Sequence, residues 1–569
     1  MASGLEAQLL DLVAIFIVAA GVGTFVAKFG KFPYTIALLL AGLGASVLGV
    51  HPGLAISHDV ILFVLLPPLL FEGAANTEFE RFRRNFPMVL ALAVVGLLVS
   101  VAVLGFVGQQ AFGFPLLISL LFAAMILPTD PVSVLALFKE LGVSDRLAVL
   151  VEGESLLNDG VGVVLFMTIA DLVLEVQSGT VTASELFTPA RLAGVGVEMV
   201  VVGVGGALVG LVTGYAVYRV MAVLDEHMTE TVLALVLAYG SFLLAEHYLH
   251  VSGVIAVVTA GLLIGNRAAE EAMSPQTKIT VFNTFETGSF LVNTFIFLMI
   301  GVNTPVNQLV RYADLIIVAI PLVLLARAVA VYPIVWVMNR LRDRTVSLKY
   351  QHTMIWAGLH ASIPIALVLG LPADIGDPYR TQLRALVFGV AAFSLVVQGL
   401  TMERLLDSLG IVTRSEAQEL YELLTGRQRA VDGALDAAER LRRKGELPAD
   451  VHRDFTDEYE REREDLRAAI TELLRSNPEL RREQQLAGER QVLKQEKSAV
   501  MDAMRRGVVS DRVGEKLLEE VNLKLDRVRG GETTVTDAGE EEFREFWRDR
   551  AEEFGLTLDA DVSAPEEDE

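Results

Sequence analysis

Apolar residues occur in runs of about twenty along the first 400 positions, and short polar breaks separate these runs. A helix needs roughly 20 apolar residues to cross about 30 Å of hydrocarbon, so each run predicts a membrane-spanning helix. The runs lack the in-and-out alternation of membrane β-strands. The pattern predicts an all-α, polytopic membrane protein and excludes a single soluble enzyme. About thirteen spans are predicted, near residues 8–27, 33–50, 59–75, 86–111, 116–138, 148–176, 190–222, 228–247, 250–266, 280–301, 313–339, 350–371 and 381–402.

The pattern changes after about residue 404, where the apolar runs stop and charged residues become frequent. We therefore expect a transmembrane domain at 1–404, a linker at 405–414, a helical cytoplasmic regulatory region at 415–555 and a disordered acidic tail at 556–569. The predicted helices of the regulatory region run from Ser415 to about Arg443, from about Asp454 to Ser476, and from Pro478 onward with an interruption near Gly507.

The amino-acid composition excludes some classes of binding partner. The chain carries 47 Lys and Arg against 70 Asp and Glu, a net charge of −23, so it offers no basic face for nucleic acid. It contains no Cys, which excludes disulfides and thiolate metal sites. We expect the lipid bilayer and small monovalent cations as partners, and no cofactor.

Positive charges between the spans predict the orientation, because cytoplasmic loops are enriched in Lys and Arg. One set of alternate loops carries Lys28, Lys31, Arg81, Arg83, Arg84, Lys139, Arg146, Arg219, Arg267, Lys278, Arg340, Arg342, Arg344 and Lys349. The other set carries only Arg191, Arg311, Arg380 and Arg384. This asymmetry predicts a multi-pass protein of the cell membrane with its N-terminus outside and its C-terminal region in the cytoplasm.

Ionisable residues inside the spans are the functional candidates, because a carboxylate there costs about 2.5–3.5 kcal/mol on insertion scales. In the fifth span, Pro128 and Pro131 flank Thr129 and Asp130. Proline removes an amide donor, so the helix should open and leave backbone groups that only a watery or protein-lined cavity tolerates. Asp130 can cap the second half-helix and also belong to an ion site, since half-helix ends are themselves ion sites.

The sixth span carries two polar stripes. Ser155 and Asp159 share one helical face, whereas Glu154 and Asn158 share the adjacent one. Arg327 is the one arginine inside the eleventh span, and a buried guanidinium requires a carboxylate. We predict that Glu154 and the amide oxygen of Asn158 bind Arg327 in a structural polar core. Asp159 then remains as the titratable carboxylate and the candidate transport group.

Two further residues complete the candidate set. Glu72 closes the third span, where it meets headgroup water or lies at a cavity mouth. His360 lies in the twelfth span among small residues and Pro364, which again predict a break. A lone buried histidine is more often a hydrogen-bonded core residue than a proton carrier. Interrupted spans five and twelve, in matching positions of two oppositely oriented halves, indicate an inverted-repeat transporter whose site lies between the breaks.

Four segments carry a resemblance to a known family: Pro128–Pro131, Glu152–Gly160, Phe297–Pro305 and Arg327. They resemble the sodium/proton exchangers of the NhaP/NHE type, in the cation:proton antiporter superfamily. The resemblance covers nearly the whole membrane part. It implies a homodimer of thirteen-helix chains, in which a core of spans 4–6 and 11–13 moves against a dimerisation domain.

The same resemblance implies roles for individual residues. Asp159 would be the carboxylate that binds the proton or the cation, and Thr129 and Ser155 would be Na⁺ ligands. Glu72 would lie at the ion site or its mouth, and Glu154, Asn158 and Arg327 would form the structural core. One departure concerns His360, because the family usually has Arg at this position, with consequences for the pH range and ion preference.

We therefore expect a secondary transporter rather than an enzyme, one that serves pH and sodium homeostasis. One carboxylate can bind a proton or Na⁺ but not both, and Asn158 cannot titrate, so exchange should be one for one and electroneutral. Oxygen donors suit Na⁺, or Li⁺, better than a soft metal, but K⁺ stays open as the substrate. A cation channel would not need a titratable group, Asp159 argues against an anionic substrate, and no nucleophile–base pair supports a membrane enzyme.

Overall fold

The computed structural model describes residues 2–29, 33–48, 58–130, 132–178, 188–224, 226–342, 345–372, 374–411, 416–505, 507–529 and 533. All regular elements within these ranges are helices, which confirms the prediction of an all-α protein. The chain divides into two compact units, Met1–Thr413 and Arg414–Glu569.

The first unit carries the apolar helices. They are α1 (Ala2–Phe29), α2 (Tyr34–Val47), α3 (Leu66–Asn76), α4 (Phe79–Leu90), α5 (Leu97–Phe112), α6 (Leu116–Ile126), α7 (Val132–Leu141), α8 (Asp145–Gln177), α9 (Pro189–Met221), α10 (His227–Leu243), α11 (Gly253–Leu263), α12 (Ala269–Glu271), α13 (Pro275–Val302), α14 (Val306–Arg311), α15 (Ala313–Leu341), α16 (Leu348–Trp356), α17 (Ser362–Leu369), α18 (Tyr379–Phe393) and α19 (Gly399–Leu409). Short π-helical turns occupy Val60–Leu65, Ala91–Gly96, Leu244–Tyr248, Ile264–Ala268 and Ser394–Gln398.

Many of these helices have the length and composition of membrane spans. Among the described residues, seven continuous stretches are long and apolar enough to cross a bilayer: Phe79–Phe112, Ala193–Met221, His227–Tyr248, Gly253–Glu271, Gln276–Val302, Ala313–Leu341 and Tyr379–Leu409. Shorter apolar helices occupy Val13–Lys28, Tyr34–Val47, Val60–Asn76 and Leu116–Ile126. The first unit is therefore a polytopic membrane domain, as the sequence predicts.

The membrane helices pack in two bundles. The first bundle contains α1–α3 and α9–α13, and the second bundle contains α4–α8 and α15–α19. Contacts between the bundles are sparse, and α8 makes several of them, against α3, α9 and α11. The polar residues of α8 therefore lie close to the boundary between two separately packed groups of helices.

A close backbone contact joins α2 to α13 in the first bundle. A Cβ atom on Gly42 would overlap the carbonyl oxygen of Leu298, and a Cβ atom on Gly301 would overlap that of Leu39. The two backbones therefore touch with no side chain between them, as small residues permit in membrane helices. A Cβ atom on Gly44, two residues along α2, would meet no described atom within 4 Å.

The second unit consists of four charged helices. They are α20 (Glu416–Arg443), α21 (Ala449–Ser476), α22 (Pro478–Arg505) and α23 (Asp511–Arg529). Helix α20 packs along α21, and α22 packs along α23 around a small apolar cluster of Leu493, Val521, Leu525 and Val528. These positions agree with the predicted helices, except that α21 begins about five residues earlier than expected.

Ion pairs cover the surface of α20 and α21. Arg427 donates to both carboxylate oxygens of Glu462, from Nε at 2.6 Å and from Nη2 at 3.0 Å. Arg442 and then Arg443 donate to Glu439 and lower the pKa of this carboxyl to about 2. These pairs are solvent-exposed, so water and salt screen them.

The predicted linker at 405–414 is wrong at its start, because α19 continues to Leu409. Leu406 is fully buried, so apolar contacts extend this helix beyond the predicted end of the membrane domain. Gly410 then ends the helix with a φ of 59°, a left-handed conformation that glycine adopts at little cost. The predicted acidic tail at 556–569 lies outside the described residues.

Candidate functional site

The first predicted break lies between α6 and α7. Helix α6 ends at Ile126, the described residues 127–130 are not helical, and α7 begins at Val132. Pro128 lacks an amide hydrogen and so cannot continue the helical ladder. Thr129, in the middle of the break, is only 2% exposed. The sequence prediction of an opened helix at this point is confirmed.

The second predicted break lies between α16 and α17. Helix α16 ends at Trp356, residues 357–361 are not helical, and α17 begins at Ser362. Gly358 lies directly under the guanidinium of Arg327, so closely that a Cβ atom on it would overlap Arg327 Nε. A side chain there would displace the guanidinium, which explains why a glycine occupies this turn.

Hydrogen bonds fasten the two breaks to each other. The amide of Asp130 donates to the carbonyl oxygen of Leu359 at 2.7 Å, and His360 Nδ1 lies 3.2 Å from the carbonyl oxygen of Pro128. Ser362 Oγ donates to Asp130 Oδ2 at 2.8 Å. The Asp130 carboxylate therefore lies at the first residue of α17, where the amide dipoles of a helix N-terminus favour a negative charge.

One face of α8 holds a buried ion pair. Arg327 Nη2 donates to Glu154 Oε1 at 3.1 Å and to the carbonyl oxygen of Met354 at 3.0 Å. The side chains of Arg327 and Glu154 are only 6% and 7% exposed. The predicted pairing of these two residues is confirmed.

The predicted contact between Arg327 and Asn158 is wrong. Asn158 instead binds the first break: its Oδ1 accepts from the Thr129 amide at 3.4 Å, and its Nδ2 donates to Thr129 Oγ1 at 2.9 Å. The opened backbone at Thr129 has amide and hydroxyl groups that need partners, and Asn158 offers both a donor and an acceptor. Asn158 therefore joins α8 to the break rather than to the arginine.

The neighbouring face of α8 carries Ser155 and Asp159. Ser155 Oγ lies 2.9 Å from Thr129 Oγ1, and the two hydroxyls share a hydrogen bond. Asp159 is 7% exposed, and its Oδ1 has no hydrogen-bond partner among the described residues. Thr129 and Ser155 are thus in contact, and Asp159 lies about one turn beyond Ser155 on the same face of α8.

A cavity of about 560 Å³ reaches Asp159 from one end of the bundles. It is lined by Leu66, Leu69, Leu70, Glu72, Gly73, Asn76, Asp130, Leu135, Lys139, Glu152, Leu156, Asp159, Phe282, Glu286, Asn293 and Ser362. Asn76, Lys139 and Glu286 are exposed, so this end of the cavity is open to solvent. Glu72 accepts a hydrogen bond from Asn76 at 2.5 Å and lies in the wall, as expected of a residue at the mouth.

Sequence reasoning did not assign six polar residues of this wall to the site: Asn76, Lys139, Glu152, Glu286, Asn293 and Ser362. Glu286 and Asn293 lie on α13, and Ser362 begins α17. Glu286 and Asn293 are seven residues apart, which places them on one face of a helix, and this spacing inside the tenth span was an available signal. Oxygen atoms dominate the polar lining, which suits a hard alkali cation. The part of the chain that the structure describes contains no group of three His, Cys, Asp or Glu residues suited to a resident metal ion.

Two interrupted helices that meet inside a membrane domain, with a buried carboxylate at the end of a solvent-open cavity, are typical of secondary ion transporters. The chain belongs to the sodium/hydrogen exchanger family, because residues 13–408 match the family described as "Sodium/hydrogen exchanger, transmembrane". The resemblance noted in the sequence is therefore confirmed.

Individual relatives agree with this assignment. The chain is 36% identical to the Na⁺/H⁺ antiporter ApNhaP of Aphanothece halophytica, over 75% of this chain and 79% of that protein. It is 34% identical to the Na⁺/H⁺ antiporter NhaG of Bacillus atrophaeus, over 90% of this chain and 96% of that protein. The structure of the sodium proton antiporter MjNhaP1 from Methanocaldococcus jannaschii superimposes with a TM-score of 0.55 at 21% identity, over 72% of this chain and 99% of that one, which shows a shared fold.

Proposed function

We propose that this chain exchanges Na⁺ for H⁺ across the cell membrane through a single carboxylate, Asp159. The observation that carries the proposal is the unpartnered Oδ1 of Asp159 at the end of a solvent-open cavity. A proton or a cation neutralises this carboxylate, but the two compete for the same oxygens. Because a bare charge at membrane depth is costly, the empty site does not cross, and the two ions must move in opposite directions.

Three other polar groups close to the site have protein partners or cannot titrate. Glu154 is paired with Arg327, and Asn158 cannot titrate. Asp130 accepts a hydrogen bond from Ser362 at the N-terminus of α17, where the helix dipole favours a negative charge. Asp159 is thus the group that changes its occupant during the cycle, and one Na⁺ exchanges for one proton without net charge movement.

Na⁺ is favoured over K⁺ as the substrate because both curated relatives named above are Na⁺/H⁺ antiporters. Asp159, Ser155 and the Thr129 region supply the oxygen ligands, with Asp130 and Glu72 in the surrounding wall. No cofactor takes part. A cation channel is the second candidate function. It is disfavoured because a channel does not need a titratable carboxylate such as Asp159.

The cavity opening supports an orientation and a mode of movement. It includes Lys139, which belongs to the basic set of loops, so we assign the open side to the cytoplasm, with the N-terminus outside. The two sparsely connected bundles support movement of the second bundle against the first, in a homodimer of chains with thirteen spans and inverted repeats. Movement would expose Asp159 to the opposite side.

We assign a regulatory role to residues from about 415 onward. Every intramembrane group named above lies before this point, so a chain ending at residue 414 should still exchange ions. Its pH or ion dependence should shift if the charged helices α20–α23 regulate transport. An inert but well-folded shortened chain would show that these helices belong to the transport machinery.

The test of the proposed function uses the full chain in proteoliposomes that contain a pH-sensitive dye. Addition of Na⁺, K⁺ or Li⁺ should produce proton movement with Na⁺ or Li⁺, and a voltage-sensitive probe should stay silent. Matched liposomes with Asp159→Asn should show no exchange. A current with Na⁺ that needs no proton gradient would identify a channel instead, and a larger response to K⁺ would identify a K⁺/H⁺ antiporter.

A further inference from the structure

The backbone on both sides of Thr129 is held by hydrogen bonds. On one side, the peptide group between Pro128 and Thr129 is bound at both ends, since its oxygen lies 3.2 Å from His360 Nδ1 and its N–H donates to Asn158 Oδ1 at 3.4 Å. On the other side, the Asp130 amide donates to the oxygen of Leu359 at 2.7 Å. Peptide groups are planar, so fixing the two that flank Thr129 fixes its φ and ψ angles.

His360 is itself immobilised by the second bundle. Its backbone N–H donates to Ser394 Oγ at 3.0 Å, and the Ser394 hydroxyl faces the His360 oxygen at 3.2 Å. The side chain is buried, with only 1% of the residue exposed. The imidazole therefore has a fixed position from which it can hold another group.

The hydrogen-bond partners identify the tautomer of His360. A carbonyl oxygen can only accept, so Nδ1 must carry the hydrogen that points to Pro128. Nε2 is buried and has no partner among the described residues, which suits a lone pair better than a second N–H group. His360 thus works through one neutral donor, Nδ1–H.

We infer that His360 is a positioning residue of the ion site. Through the carbonyl group of Pro128 it sets the orientation of Thr129, whose hydroxyl meets Ser155 beside Asp159. This inference rests on the proposed function, because it concerns the geometry of the Na⁺ ligands. His360 touches neither ion, and loss of its Nδ1 donor should weaken Na⁺ binding more than it slows the transport cycle.

Two substitutions of His360 by a neutral amide, asparagine or glutamine, test this inference. The Nδ2 of asparagine occupies nearly the position of Nδ1 in histidine, whereas the Nε2 of glutamine occupies that of the histidine Nε2. His360→Asn therefore keeps a donor facing Pro128, and His360→Gln moves the donor away. His352→Gln is the matched control, because it makes the same chemical change on α16 at an exposed residue whose ring contacts Tyr332.

The measurement is Na⁺-driven proton movement by the full chain in proteoliposomes. His360→Gln should raise KM for Na⁺ about tenfold with a smaller change in kcat, which corresponds to one lost hydrogen bond. His360→Asn should stay within about twofold of the KM of the native chain, since the donor is retained. His352→Gln should leave KM unchanged.

Equal KM values in His360→Gln and the native chain would overturn the inference, as would equal increases in the Asn and Gln variants. Ser394→Ala provides a second test of the inference if His360→Gln does not fold. It removes the anchor of His360 but leaves the imidazole, and it should also raise KM, so an unchanged KM would contradict the inference. Failure of the proposed function is recognised separately, because the native chain would then show no exchange or Asp159→Asn would retain it.

Discussion

Two carboxylates on one helix have nearly the same burial and opposite surroundings. Glu154 and Asp159 lie five residues apart on α8 and are 5% and 7% exposed. Glu154 lies 3.1 Å from the guanidinium of Arg327, whereas Oδ1 of Asp159 has no described partner. Burial therefore does not separate Glu154, which is paired with Arg327, from the carboxylate that we propose as the transport group. The difference is that the protein balances the charge of Glu154, whereas under the proposed function a transported ion balances that of Asp159.

The largest expected effect is on transport, from Asp159→Asn. The amide keeps the shape of the carboxyl but binds neither a proton nor Na⁺ as a charged ligand, so exchange should be lost completely. The melting temperature should be at least that of the native chain, because a buried charge without a protein partner has been removed. Dye-loaded proteoliposomes and thermal unfolding measure the two quantities. Retained Na⁺-driven proton movement would move the central role away from Asp159.

The second-largest effect is expected on the stability of the fold, when the ion pair between Glu154 and Arg327 is broken. Glu154→Gln or Arg327→Met leaves a buried charge unpaired, which typically costs about 3–5 kcal/mol. The double variant should lose much less than the sum of the two single losses, because it leaves no unpaired charge. Thermal or denaturant unfolding of all four chains gives this cycle. Additive losses would show that the 3.1 Å contact contributes no coupling.

A smaller effect is expected from Ser155→Ala, which alters the surroundings of Asp159 but not its charge. The variant removes one neutral oxygen and the hydrogen bond to Thr129, so KM for Na⁺ should rise roughly fivefold. Ser408→Ala is the control, because the Ser408 hydroxyl bonds only within its own exposed helical turn. An unchanged KM in Ser155→Ala would remove this hydroxyl from the set of Na⁺ ligands.

The smallest effect on thermal stability is expected from breaking the solvent-exposed ion pair between Arg427 and Glu462. Arg427 and Glu462 form a bidentate pair with better geometry than Arg327 and Glu154, yet both partners are substantially exposed. Arg427→Gln should leave the melting temperature of the full chain unchanged within error, because exposed pairs are screened. Arg327→Met is the comparison in the same assay. A similar loss in both variants would show that burial is not what makes the membrane pair important.

The fold was largely predictable because lipid imposes a simple rule on the sequence. Every backbone group within the bilayer must be bonded, so long apolar runs must be helices. A proline can interrupt such a helix, as Pro128 does, although Pro321 and Pro333 lie inside the continuous α15. Pro128 and the glycine-containing turn at 357–361 thus reveal both breaks. The linker start was not predictable from polarity, because the charged residues after 402 conceal the buried Leu406.

The site was predictable only as far as one helix determines it. Helical spacing separates Glu154 from Asp159, and the need of Arg327 for a carboxylate identifies the pair. Spacing does not say which backbone lies opposite Asn158, and here the open turn at Thr129 occupies the place that Arg327 was expected to take. Glu286 and Asn293 enter the cavity wall because α13 packs against α3 and α17, and such helix pairings do not follow from the order of spans.

The contact between α2 and α13 has a consequence for how an exchanger of this kind can change shape. Side chains between two helices allow one helix to slide along the other, because their rotamers can adjust. Gly42 and Gly301 leave no such layer, and each backbone fits directly against the other. We expect α2 and α13 to move as one rigid unit, without sliding along each other. Under the proposed function, we then expect the displacement that carries an ion across to concentrate at the sparse contacts around α8.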